Sequence, residues 1–177
     1  MKKILISTMA CVVMSSNVSA IDSAGAGDIL QVLIPATAYG TTLYLDDTEG
    51  QYQFYKSFGT NLAATYALKF SIDKERPNGG SHSFPSGHTS AAFQGASFIH
   101  FRYGLGYGIP AYLAASFVGW SRVDSDAHYT SDVIAGALLG TFSSYYFTTS
   151  YKGYDIKPIT MNSGSSSAVG IGISKTW

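Results

Sequence analysis

Charge is scarce in this chain: Asp, Glu, Lys and Arg together make up 12% of its 177 residues, about half the roughly 25% usual in soluble domains. Lys plus Arg match Asp plus Glu at 11 each. No global field therefore favours nucleic acid, and any attraction to an anion has to come from a local cluster of cations. Cysteine is nearly absent as well. The single one, Cys11, lies in the N-terminal segment, so the remainder can form no disulfide and cysteine usage leaves the redox compartment open. The apolar stretch from Ile4 to Met14 falls short of the roughly 20 residues a spanning helix needs. With Lys2 and Lys3 before it and Val18-Ser19-Ala20 after it, it has the layout of a secretory signal cleaved after Ala20. Thr8-Met9-Ala10 fits poorly with a lipid attached at Cys11.

What is abundant is apolar surface, at 46% of residues, which points to a greasy exterior or a membrane. Residues 21–152 read as one helical domain. Apolar positions recur at helical spacing in Ile29–Leu45, Phe54–Ile72, His88–Tyr103, Ala111–Trp120 and Val133–Tyr151. Asp46 to Gly50, Arg76 to Ser81, Gly104 to Pro110 and Val123 to Ser131 mark the breaks, and Pro110 suits the first turn of the fourth helix. Beyond them, residues 153–177 alternate: Ile156–Met161 and Val169–Trp177 flank a Ser/Gly-rich turn and read as a hairpin packed on the helical body. The expected fold is mainly α, a compact bundle of about five core helices with a short C-terminal β-hairpin.

Three polar clusters interrupt the apolar pattern. In the first, Lys69 and Arg76 stand close to two helical turns apart, so two cations can share one face, and Pro77 ends the helix there. Alone, this stretch reads more readily as a solvated run with Asp73 pairing Lys69. In the second, Ser83-Phe84-Pro85-Ser86-Gly87-His88 precedes an Ala-rich helix. Ser86 is a candidate N-cap, the free N–H groups after it form an anion site, and Gly87 lets the backbone approach a ligand closely. His88 at the rim can give or take a proton near neutral pH. The third cluster runs from Arg122, at a helix end, through His128 to Asp132. The i,i+4 spacing lets the carboxylate reach Nδ1 of His128 and leave the Nε2 lone pair outward, the arrangement of an oriented nucleophile. A His-Asp pair also occurs in metal sites, but His82 and His100 have no ligand-like spacing to it.

Together these segments supply three cations, a helix N-terminus, one activated histidine and a second for proton transfer, the set that phosphoryl transfer needs. No metal and no cofactor is required. Lys69-x6-Arg76-Pro77, Pro85-Ser86-Gly87-His88 and Ser121-Arg122-x5-His128-x3-Asp132 resemble the three signature motifs of the type 2 phosphatidic acid phosphatase and vanadium haloperoxidase superfamily. The resemblance implies a helical bundle in which Lys69, Arg76, Ser86, Gly87 and Arg122 bind phosphate. It also implies that His128 attacks phosphorus, Asp132 supports it, and His88 protonates the departing oxygen before activating water.

The expected function is hydrolysis of phosphate monoesters or lipid phosphates and pyrophosphates through a phosphohistidine, on a phosphorylated small molecule or lipid head group, with no nucleic-acid partner. A vanadate-dependent haloperoxidase would use the same pocket. A non-catalytic anion- or lipid-binding module would need only the cations, which leaves His88, His128 and Asp132 without a purpose. Gly104 to Pro110 is expected to shorten the fourth helix to about 12 residues, roughly 18 Å against a hydrocarbon core of about 30 Å. Ser143, Ser144, Thr148, Thr149 and Ser150 wet the fifth. A periplasmic or exported domain, free or resting on a membrane face, is the expected setting.

Overall fold

The computed structural model describes residues 22–151 together with the backbone of two strands, Asp155–Ser163 and Ser166–Ser174. The expected signal segment, residues 1–20, lies outside the described residues, as do Trp177 and the packing of the tail side chains. The two strands pair antiparallel, with Asp155 opposite Ser174.

Among the described residues there are five helices: α1 (Ser23–Tyr44), α2 (Thr48–Ser71), α3 (Gly87–Tyr103), α4 (Leu105–Asp124) and α5 (Thr130–Phe147). The chain is mainly α, as its periodicity predicts. All five helices begin earlier than the sequence pattern suggests, α1, α2 and α4 by six residues each. Helix α2 starts at Thr48 because Asp47 caps it, its carboxylate accepting from Gly50 N–H at 2.9 Å. The break there is confined to Leu45, Asp46 and Asp47. Helix α4 starts at Leu105 rather than Ala111, with Pro110 inside it rather than in its first turn. Its glycines read as a loop, but one of them serves packing: a Cβ on Gly108 would lie 2.7 Å from the His100 Cβ. Gly104, at φ 103°, makes the sharp turn out of α3. At 20 residues, α4 is about 30 Å long, not the short helix expected. Even so, no described helix is long and apolar enough to cross a membrane.

Helix α3 is the centre of the bundle and packs against all four others. One core cluster joins Ile34 of α1, Ala92 and Ala96 of α3, and Ala115 and Val118 of α4. A second joins Ala38, Phe54, Phe98, Ile99 and Tyr103 across α1, α2 and α3. Close approach depends on missing side chains. A Cβ on Gly140 would press into the Ser90 carbonyl and stand 2.7 Å from the Gln94 nitrogen, and one on Gly95 would meet the Pro35 nitrogen at 2.7 Å. Large apolar side chains stand exposed on the other four helices, among them Val32, Phe70, Leu113 and Phe142, whereas α3 exposes none.

At the end of the bundle away from the α3 N-terminus, a buried ion pair locks three segments. Arg102 donates to both carboxylate oxygens of Asp47, Nε to Oδ2 at 2.8 Å and Nη2 to Oδ1 at 2.5 Å, and Tyr103 Oη adds a bond at 2.9 Å. The remaining Arg102 donor reaches the Thr149 carbonyl at 2.8 Å, just past α5. Gly140→Ala is expected to lower stability by about 1–3 kcal/mol through forced separation of α3 and α5. Asp47→Ala, which strands the Arg102 guanidinium, should cost about 3–5 kcal/mol. Thermal unfolding measures both, and an unchanged midpoint for Gly140→Ala would show that the two helices separate freely.

Candidate active site

The site forms where the start of α3 meets the end of α2 and the α4–α5 connection. Ser86 caps α3, its Oγ accepting from Thr89 N–H at 3.4 Å and lying 2.9 Å from Thr89 Oγ1. The Ser86 N–H donates to the Asp132 carbonyl at 2.9 Å, which ties the cap to α5. Lys69, in the last turn of α2, donates from Nζ to the His82 carbonyl at 2.9 Å. It does not serve as the partner of Asp73. Arg76, half-buried in the loop that follows, is held by Nε on the Ser81 carbonyl at 3.0 Å.

Lys69, Arg76, Gly87, His88 and His128 line one cavity of about 830 Å³. Its far part is apolar, walled by Val32, Pro35 and Tyr39 from α1 and by Phe58, Leu62 and Tyr66 from α2. Ser86, Arg122 and Asp132 do not line it. Ser86 and Asp132 are fully buried behind its wall, and Arg122 lies under the first turns of α1. There Arg122 Nη1 donates to Asp28 Oδ1 at 2.7 Å and Nη2 to the Ala24 carbonyl at 2.5 Å. The same Asp28 oxygen is 3.0 Å from His88 Nε2, so donors from α3 and α4 converge on a single anionic oxygen. Asp28 is absent from every sequence motif. An acid one helix upstream of the clusters carries no local signal, since its partner Arg122 is 94 positions away.

The contact between His128 and Asp132 differs from the direct one expected. Nδ1 stands 3.8 Å from Asp132 Oδ2, beyond hydrogen-bond reach. Ser83 Oγ comes between them, 3.4 Å from Nδ1 and 2.5 Å from Oδ2. Lys74, from inside the Lys69–Arg76 run, donates to Asp132 Oδ1 at 2.6 Å. Neither Ser83 nor Lys74 is singled out by spacing, although both sit in the recognised clusters.

Electrostatics set the protonation states. Burial, then the charges of Arg76 and Lys69, push the His128 imidazole down to about 4, outweighing the opposing pull of Asp132. His88 is also held below its ordinary value, by burial and then by Arg122, with Asp28 opposing. Burial and the Arg76 charge lower Lys69 in the same way. Burial pushes Asp132 up, but the bonds from Lys74, Ser83 and the Tyr129 N–H outweigh it and keep it below the usual carboxylate range. Among the described residues no three of His, Cys, Asp or Glu converge as a metal-ligand set. The arrangement can therefore offer an uncharged imidazole nucleophile beside two cations and a helix N-terminus.

The chain is similar to several known proteins. The lipid A 1-phosphatase of Porphyromonas gingivalis is 42% identical over 78 residues, which cover 42% of this chain and 18% of that protein. The chain thus spans under a fifth of that relative's length. The lipid A 4'-phosphatase of Helicobacter pylori is 28% identical over 166 residues, covering 85% of this chain and 83% of that protein. The crystal structure of Aquifex aeolicus LpxE shares the fold, with a TM-score of 0.55 at 21% identity over 67% of this chain and 83% of that one. The family profile described as PAP2 superfamily matches residues 4–155, a stretch that takes in Lys69, Arg76, Ser86, His88, Arg122, His128 and Asp132 together. With most of its length matched and the three polar clusters folded around one cavity, the chain belongs to the PAP2 superfamily.

Proposed function

We propose that this protein is a lipid phosphate phosphatase that works through a phosphohistidine on His128, without a metal ion. The observation that carries the lipid reading is the continuity of the cavity: its cationic end holds His88 and His128, and its apolar end runs on between α1 and α2. A soluble phosphomonoester would use only the first part. An acyl or prenyl chain attached to the leaving oxygen would fill the second, gaining about 25 cal/mol per Å² of apolar area buried. The relatives named for lipid A support a phosphorylated lipid as substrate.

In this reading Lys69, Arg76 and the α3 N-terminus, with Gly87 at the cavity and Ser86 behind it as the cap that orders that turn, receive the phosphoryl oxygens. Charge on those oxygens in the transition state is met by fixed donors rather than by reorganising water. Nε2 of His128 bonds to phosphorus as the bond to the leaving oxygen breaks, and that oxygen takes its proton from His88. Water then gives a proton back to His88 as its oxygen bonds to phosphorus, and the P–N bond breaks, releasing phosphate and free His128. The free protein keeps His88 below its ordinary value. A bound phosphoryl dianion beside it raises that value and so supplies the proton the first step needs. Arg122 joins the phosphate when the Asp28 carboxylate gives way, because an oxygen at the same point would accept from both Arg122 and His88. The exposed apolar side chains on α1, α2, α4 and α5 favour residence of the exported protein against a lipid surface, where such a substrate is found.

Phosphate release from phosphatidate, lipid A, prenyl pyrophosphate and a small phosphomonoester in detergent micelles tests the reading. The lipids should turn over faster than the small ester, vanadate should inhibit competitively, and EDTA should not inhibit. His128→Ala should abolish turnover while the fold persists; a variant with near-normal rate removes the phosphohistidine. In the pH profile of kcat/KM, the acid limb belongs to protonation of the nucleophile and should fall near pH 4, where His128 of the free enzyme titrates. The alkaline limb belongs to loss of the His88 proton. Asp28→Asn removes the charge that raises His88, so that limb should move to lower pH, and a shift to higher pH would contradict the assignment.

A further inference from the structure

Ser83 and Lys74 have no place in the mechanism above, yet both bond to Asp132, the buried carboxylate beside its nucleophile. Asp132 is fully buried and its oxygens are taken: Oδ1 by Lys74 Nζ at 2.6 Å, Oδ2 by Ser83 Oγ at 2.5 Å and by the Tyr129 N–H at 3.1 Å. Ser83 is fully buried too, and His128 is 3% exposed. A hydroxyl has one proton, and an ionised carboxylate can only accept. The Ser83 proton therefore goes to Asp132, which leaves Ser83 Oγ as an acceptor toward His128 Nδ1, 3.4 Å away. Nδ1 then carries the hydrogen and Nε2 keeps its lone pair for phosphorus.

We propose that Ser83 is a positioning residue that fixes the nucleophilic tautomer of His128, and that Lys74 holds Asp132 ionised and in place beneath it, so that the carboxylate acts on the imidazole through a hydroxyl rather than directly. The backbone braces the arrangement, since Ser83 N–H donates to the Lys74 carbonyl at 2.8 Å and thereby ties together the two residues that flank Asp132. The relay also tempers charge. A carboxylate in direct contact would favour the imidazolium, which is no nucleophile; an interposed hydroxyl and a compensating ammonium weaken that pull. The charged groups that face His128 are Lys69 from α2, Arg76 from the α2–α3 loop and Asp132 from α5, with Lys74 behind Asp132. Removing Lys74 shifts this balance toward the proton.

This inference rests on reading His128 as the nucleophile, and the test separates the two. Ser83→Ala removes one oxygen and Lys74→Met alters a side chain that is 34% exposed, so both proteins are checked first by thermal unfolding. Nitrogen-15 NMR of the His128 ring should show the Nδ1–H tautomer in the wild type and a mixture of tautomers in Ser83→Ala. On phosphatidate micelles Ser83→Ala should lose on the order of 10- to 100-fold in kcat, the scale seen when a metal-ligating histidine loses its outer partner, with KM nearly unchanged. Lys74→Met should move the acid limb of kcat/KM to higher pH. An Nδ1–H signal retained in Ser83→Ala, or an unmoved limb in Lys74→Met, overturns the relay while leaving the phosphohistidine intact. A wild type that releases no phosphate, or an active His128→Ala, overturns the phosphohistidine, and the tautomer measurement still decides the role of Ser83.

Discussion

Helix α3 has to begin in the active site and also lie within reach of every other helix, and the rest of the structure depends on how its backbone is approached. Main-chain contact of α3 with α1 at Gly95 and with α5 at Gly140 leaves no room for side chains between the axes. In return the start of α3 is fixed in position relative to Lys69, Arg76 and the α4–α5 connection. The apolar content of the chain follows from the same constraint. A bundle knit by glycine, alanine and serine at its centre puts its large side chains outside, and there they stand, on every described helix except α3.

At the α3 N-terminus the dominant physics is the removal of charge from an imidazole. His128 lies among two cations and one carboxylate in a buried place, and burial with the cations prevails. The histidine is uncharged when an anion arrives. In the proposed mechanism the cations that suppress its proton are the same ones that attract the phosphoryl group, so nucleophile activation and substrate binding come from one set of charges. Asp132 alone would work against this, and its charge is already answered by Lys74.

The helices and the three polar clusters are legible in the sequence because each is a local signal, a period or a run of chemically distinctive residues. The starts of α1, α2 and α4 are not. Composition assigns Asp46 to Gly50 and Gly104 to Pro110 to loops, while the actual boundaries depend on a cap at Asp47 and on the seat of Gly108 against His100. The pairing of Asp132 with His128 illustrates the limit of spacing arguments. An i,i+4 interval places the two side chains on one face and says nothing of a hydroxyl from another loop coming between them. Asp28 lies further out of reach still, since only the tertiary packing of α1 on α4 brings it to Arg122 and His88.

Helix α1 is anchored at its start by Ala24 and Asp28 on Arg122, at its middle by Pro35 on Gly95, and just past its end by Asp47 on Arg102. Helix α2 has its own footing, its Thr65 and Asn61 bonded to Ser90 of α3. The two walls of the apolar groove therefore stand side by side on α3, like piers on one base, with the Tyr39 and Tyr55 hydroxyls meeting as a tie between them. A groove built this way keeps its width when empty. Whatever chain enters it meets a finished mould, so little of the contact energy is spent on shaping the protein around its guest.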